Sequence, residues 1–215
     1  MKQLLAVCGD HYHPSEPIKE ALTKALAHSA LKQKYAIRYI EPSELVDALN
    51  DKPDCVILSK ENRLNPTDDI VTSWMTIEIE TAIANYVNEG GSWLAWHSGL
   101  ASYQPGSPFT NMLRGYFEYH PEKHQQVTYN RKGSEDALTF TILDEHYFVY
   151  CDVANTDVFL RSESIDGQSI AGWRHSYGNG RVSCYAPAHR REGLNHQMVI
   201  SLLVENIAWC CNDNE

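Results

Sequence analysis

The chain of 215 residues carries 28 acidic against 18 basic side chains, a formal charge of −10, with 43% apolar and 21% charged positions. That length can bury a sizeable core without disulfide or metal staples, and the composition is that of a globular protein. No Lys/Arg run exceeds two residues, so the clustered positive charge that a phosphate backbone needs is missing and nucleic acid is excluded as an expected partner. In chain order, Leu4–Cys8 reads as a first buried strand, ending at Gly9-Asp10. Pro17 then stands at a first helical position before the stripe Ile18, Ala21, Leu22, Ala25 and Leu26. Tyr35–Ile40 and Asp54–Leu58 are the next strand candidates. A polar loop, Lys60–Asp69, leads to a helix expected through Trp74, Ile77, Ile79, Ile83, Tyr86 and Val87, closed by Gly90-Gly91. Ser92–Trp96 is a fourth strand. Strands that alternate with helices and are apolar on both faces predict a parallel sheet covered on two sides.

The second half changes character. Gln125–Asn130, Leu138–Leu143, Asp157–Arg161, Ser169–Trp173 and Arg181–Ala186 are short strands separated by turn residues, with a hairpin expected over Gly178–Gly180. A final helix over about Asn195–Cys211 presents Met198, Val199, Leu202, Leu203, Ile207 and Ala208. With no internal repeat or linker, residues 1–215 read as one α/β domain: a doubly wound, mostly parallel sheet with helices on both faces and antiparallel additions in the second half.

The apolar segment before Gly9 is too short for a signal peptide, and no run approaches the ~18 residues of a membrane helix. A cytoplasmic location with no membrane partner is therefore expected. The six cysteines have no Cys-x-x-Cys spacing, and Cys8, Cys55 and Cys184 lie in strand-like runs, which reads as reduced core filling.

Ligands of open parallel sheets bind beyond the carboxyl ends of the strands. The first strand is followed by Asp10-His11-Tyr12-His13, the fourth by His97-Ser98-Gly99, and the Arg181–Ala186 strand by Pro187-Ala188-His189. If these strands are parallel neighbours, His13, His97 and His189 converge on one crevice. For each, the plain alternative is a solvated or structural imidazole. His28, His124, His146, His175 and His196 fall on helix faces or in hairpins, and a surface position is expected for all of them. A Gly-x-Ser-x-Gly elbow would need glycines where Trp96 and Leu100 stand, and no cysteine follows a strand-to-glycine turn.

Several segments, in order, resemble the trehalose-utilisation (ThuA-like) family. They are Trp93-Leu94-Ala95-Trp96-His97-Ser98-Gly99, Leu113-Arg114-Gly115-Tyr116-Phe117 with His120-Pro121, and Leu143-Asp144-Glu145-His146-Tyr147. Gly172-Trp173-Arg174 followed by Tyr177-Gly178-Asn179-Gly180-Arg181-Val182, His189, and Ile207-Ala208-Trp209 complete the set. The resemblance implies a flavodoxin-like, class I glutamine amidotransferase-like fold, whose catalytic members place cysteine on the strand-to-helix elbow. His97 stands at that position here, His189 at the amidotransferase histidine, and Arg191 where the glutamate would be. Imidazole cannot form the thioester of glutamine hydrolysis, so the resemblance implies the fold without amidotransferase activity. Trp96 and Ala188 stand where the family often has glycine, which suggests a narrower or differently shaped pocket.

The resemblance also implies carbohydrate catabolism, with trehalose or a related disaccharide, in a keto form among others, as the small-molecule partner. His97, His189, Glu145 and Asp10 are the catalytic candidates, because neutral imidazoles and carboxylates suit acid–base work near neutral pH. His13, His189 and Glu145 are the candidate ligands of a divalent metal, with zinc suited to N/O donors. Trp96, Tyr103, Tyr147 and Trp173 are candidates for stacking on a sugar ring, and His120 joins them as a substrate-binding candidate. No nucleotide cofactor is expected, and self-association stays open. A non-catalytic sugar-binding or regulatory protein on a degenerate amidotransferase fold is the competing reading.

Overall fold

The computed structural model describes residues 1–28, 30–131 and 138–212. Its first half alternates strand and helix: β1 (Lys2–Cys8), α1 (Ser15–Ala27), β2 (Tyr35–Tyr39), a short α2 (Leu45–Leu49), β3 (Cys55–Ser59), α3 (Ile77–Asn88) and β4 (Ser92–Trp96). A 3-10 turn over His97–Leu100 and α4 (Pro108–Leu113) follow. The remainder is β5 (Gly115–Tyr119), β6 (Gln125–Arg131), β7 (Thr139–Asp144), β8 (Phe148–Cys151), β9 (Asp157–Ser164), β10 (Gly167–Tyr177) and β11 (Gly180–Tyr185), closed by α5 (Arg191–Leu194) and α6 (Gln197–Cys210).

One nine-stranded sheet runs β2-β1-β3-β4-β11-β10-β9-β6-β7, and β5 pairs with β8 in a separate ribbon. The first five strands in that order are mutually parallel, with Val56 opposite Trp93 and Cys184 opposite Ala95. The other four join antiparallel. Helices α1, α5 and α6 pack together on one face and α2, α3 and α4 on the other. This is the doubly wound α/β architecture with antiparallel additions that the alternating apolar runs predict. Every residue of β3 and β4 is buried, as a strand covered on both faces must be. The turn between β10 and β11 is the expected hairpin, and Gly178 supplies its left-handed residue at φ 56°.

The differences have local causes. Trp74 lies ahead of α3, because Thr76 caps that helix and Trp74 instead donates its indole N–H to the Glu61 carbonyl at 3.0 Å. The β5–β8 ribbon was not expected. β9 and β10 also run past the predicted Arg161 and Trp173, since an antiparallel pair continues as long as the ladder bonds are made. Two histidines expected at the surface are buried. His146 is held at both ring nitrogens by Ser164 and Ser162, at 2.7 and 3.0 Å, and His175 donates to the Met112 carbonyl at 2.9 Å. All six cysteines are free. Among the described residues no helix is long and apolar enough to cross a membrane.

Candidate metal centre at the carboxyl edge of the sheet

The parallel strands end together, so the loops after β1, β4 and β11 meet at one edge. The pairings also fix the direction of the added strands. β7 runs with β4 and finishes at this edge with Asp144-Glu145, while β6 runs against it and starts there, just after His124. Residues from five chain segments therefore face one another.

His97 occupies the elbow after β4. Its backbone lies in the left-handed region at φ 47°, an uncommon place for a residue with a side chain. Two residues on, a Cβ on Gly99 would lie 2.1 Å from the Leu58 carbonyl oxygen, so only glycine lets the turn sit this close to β3. The His97 ring is buried, and its Nδ1 lies 2.6 Å from the Ala186 carbonyl oxygen. A carbonyl can only accept, so Nδ1 carries the proton and Nε2 presents a lone pair to the site.

Asp10 organises the loop after β1. Its Oδ1 accepts from the backbone N–H of Tyr12 and of His13, each at 3.0 Å, and its Oδ2 from Glu61 N–H at 3.0 Å. Burial works against the charge of Asp10, but these bonds and the His13 ring outweigh it and hold the carboxyl well below the usual carboxylate range. The anion accepts the Nδ1–H of His13 at 2.6 Å, which leaves His13 Nε2 with a free lone pair. His189 is placed by its backbone N–H, which donates to Asp144 Oδ1 at 2.7 Å. Burial pushes the Asp144 carboxyl up to about 7.

The ligating atoms of His13, His97, Glu145 and His189 all lie within 4.8 Å of one another. Glu145 Oε2 is 3.1 Å from His189 Nδ1 and 3.7 Å from His97 Nε2. Neither contact is made as a hydrogen bond. His13 Nε2, His97 Nε2 and His189 Nδ1 are thus buried without hydrogen-bond partners. Buried polar atoms left in this state are costly unless something absent from the chain satisfies them. Burial takes the His97 pKa down to about 4, so the ring is neutral and able to ligate. Burial also acts to lower His189, but the neighbouring Glu145 carboxylate prevails and raises it. Glu145 is pushed up by burial and pulled further down by His189 and His97, so it stays anionic. Three imidazole nitrogens and one carboxylate oxygen fit zinc's preferred donors and its four-coordinate habit. The two proton-fixing contacts, from Asp10 and the Ala186 carbonyl, are the outer partners that metal-binding histidines use.

Of the residues singled out in the sequence, Asp10, His13, His97, Glu145 and His189 come together. Tyr147 also joins them, stacked on the His97 ring at 4.3 Å between centroids. His120 stands at the rim, its Nε2 3.8 Å from Glu145 Oε1. The expected stacking surface is otherwise missing. Trp96 and Trp173 are fully buried, with their indole N–H groups spent on the Pro187 and Leu113 carbonyls, and buried Tyr103 donates to the Lys60 carbonyl. His13, His97 and His189 also border, with Pro17, Ile18 and Leu194 but not Glu145, a cavity of about 20 Å³, room for a water or an ion and not for a sugar ring. The larger hollows, about 450 and 490 Å³, are lined by other residues. Sequence reasoning missed His124, whose Nε2 is also 3.8 Å from Glu145 Oε1. Its one signal was the four-residue spacing from His120 in a loop leading into a strand.

Comparison with curated proteins finds no sequence match. Among solved structures, the fold is similar to that of a ThuA-like protein from Parabacteroides merdae, with a TM-score of 0.73, 13% identity, and 98% of this chain and 90% of that one covered. A cytoplasmic protein from Salmonella typhimurium LT2 aligns with a TM-score of 0.66 at 14% identity over 98% of this chain and 99% of its own. A β-galactosidase from Rahnella sp. R3 aligns with a TM-score of 0.61 at 13% identity, over 96% of this chain but 31% of the enzyme. At such identities these likenesses establish the fold alone. The sequence profile described as ThuA, trehalose utilisation, matches residues 8–210, nearly the whole chain, and with it the chain belongs to the ThuA family.

Proposed function

We propose that this chain acts as one ThuA-like domain over residues 1–215, a cytoplasmic metal-dependent enzyme of carbohydrate catabolism. Its substrate would be trehalose or a related disaccharide, the keto forms included. The observation that carries the reading is the convergence of three buried imidazole nitrogens, none of them in a hydrogen bond, around the anionic Glu145. His13, His97, His189 and Glu145 would hold a divalent ion, with zinc favoured by the donor set. When bound, such an ion supplies Lewis acidity toward a carbonyl or hydroxyl oxygen.

The chain's own groups set the geometry. Asp10 fixes the His13 tautomer, the Ala186 carbonyl fixes that of His97, and Asp144 anchors the His189 backbone. Tyr147 covers one face of His97 and keeps water from it. The sugar would rest on the solvent side of Glu145, beside the partly exposed His120. The amidotransferase likeness is one of fold only, because the elbow carries His97, and burial pushes the Cys8 thiol up to about 12, leaving no thiolate near the site loop.

The test is metal analysis followed by assay. Purified protein should retain zinc, lose it to a chelator, and recover it together with turnover of a disaccharide or its keto derivative. A protein that binds no divalent ion from the first row of transition metals, or that releases ammonia from glutamine in a His97-dependent way, would overturn the reading.

A further inference from the structure

The antiparallel half carries a hollow of about 490 Å³ that shares no lining residue with the metal centre and falls within the ~300–1,000 Å³ of small-molecule sites. Strand pairing builds it. Asn130 of β6 and Ile170 of β10 stand directly opposite Arg161 of β9, and Gln168 of β10 stands opposite Glu163. Residues directly opposite on paired strands share a face at about 5 Å, so these side chains form one patch. The β5–β8 ribbon adds Glu118 and Phe148. Glu118, Arg161, Glu163 and Gln168 are exposed, and among the described residues none of these four side chains is in a hydrogen bond or an ion pair. The guanidinium and the amide offer donors, and the two carboxylates offer acceptors. Phe148 and Ile170, both half-buried, give the hollow its apolar surface.

We propose that this hollow binds a neutral saccharide, as a holding subsite apart from the metal centre. The ligand class rests on the carbohydrate reading above and on the chemistry of the lining. One cation against two anions disfavours a phosphate or a polyanion. A polyol uses both kinds of group, because each hydroxyl can accept from Arg161 or Gln168 and donate to Glu118 or Glu163. The C–H faces of a pyranose suit the Phe148 and Ile170 surface, since ligand sites combine apolar walls with a few placed polar groups. Unlike the ion-sized cavity beside His13, His97 and His189, this hollow has room for a sugar ring. The ribbon ties the two places together. β5 brings Glu118 to the hollow just before His120 reaches the rim of the metal centre, and Phe148 follows Tyr147, which stacks on His97. A sugar held here rests against the ribbon whose other residues meet the metal centre.

The test is saccharide binding by full-length protein freed of metal with a chelator, so that the inner ion makes no contribution. Trehalose, maltose, cellobiose and lactose would be screened by saturation-transfer NMR and the best binder titrated. Wild type should bind at least one of them without metal. The double variant Arg161→Ala/Gln168→Ala should weaken that affinity at least about tenfold, the scale of losing a hydrogen bond from a charged group. Both side chains are exposed and make no hydrogen bond within the described residues, so the melting temperature and zinc uptake of the variant should match wild type. That match separates a lost subsite from a lost fold or a lost metal centre. No binding of any of the four by metal-free wild type, or equal affinity in the double variant, would overturn this proposal and leave the inner site standing. Wild type that binds the sugar in an Arg161-dependent way but takes up no zinc would overturn the inner site and uphold this one.

Discussion

The five parallel strands and the four antiparallel ones differ in how they meet solvent, and the site draws on that difference. In β3 and β4 every residue is buried, so neither strand can shift without moving helices on both faces. β7 alternates exposed and buried positions and has one packed face. The rigid half supplies His13, His97 and His189, with the ring protons of His13 and His97 fixed by Asp10 and the Ala186 carbonyl. The added half supplies the negative charge, Glu145, and the partly exposed His120 and His124. A cluster of imidazoles needs an anion to complete it, and here the two come from regions packed in different ways. Position is set on one side, charge and access on the other.

The largest test of this contrast is truncation in each half. Trp96→Ala should cost roughly 3–5 kcal/mol in urea unfolding, and Ile142→Ala on β7 about 2 kcal/mol. Equal costs would remove the contrast. Next comes pH. Burial takes the His175 pKa on β10 from 6.5 down to about 4. The unfolded chain then binds a proton in that window which the folded chain refuses. Stability from this group is therefore intact above pH 6.5 and falls as the pH drops toward 4, by on the order of 3 kcal/mol at most. His175→Gln, measured with chelator present, should flatten the curve across that window; an unchanged slope would show that the ring is not the cause. Asp10→Asn should weaken zinc binding about ten- to a hundredfold, because an amide no longer secures the His13 tautomer. His11→Ala should do almost nothing, within about 0.5 kcal/mol in stability and with zinc affinity intact. His11 is exposed while His13, in the same His-x-His pair, is buried, so a large effect at His11 would misplace that loop.

The parallel half was legible in the sequence because its logic is directional. Apolar runs alternating with helices imply parallel strands, and parallel strands send His13, His97 and His189 to one edge. The same logic argues against Trp96 as a sugar platform, since a residue in a strand apolar on both faces has no open side. The antiparallel half gave no such guide. Whether a strand starts or ends at the site depends on its neighbour, and β6 brings His124 there by its start. His146 reads as a hairpin histidine until the Ser162 and Ser164 hydroxyls, brought close by β9, satisfy both of its nitrogens. The β5–β8 ribbon escaped because its strands are far apart in sequence, and the ring pairs stacked across it, Tyr116 with Tyr150 and Tyr119 with Phe148, follow from a pairing that local spacing does not reveal.

The central claim is that the two halves complete one metal centre, and zinc affinity in a pair of single variants tests it most directly. His97→Ala removes a ligand from the parallel half, and Glu145→Gln removes the charge from the antiparallel half. Competition titration against a chromogenic chelator should show tight zinc binding by the wild type and a loss of at least about tenfold in each variant, more than the weakest outer-partner effect on a metal site. Wild-type affinity retained by Glu145→Gln, or by His97→Ala, would contradict the account.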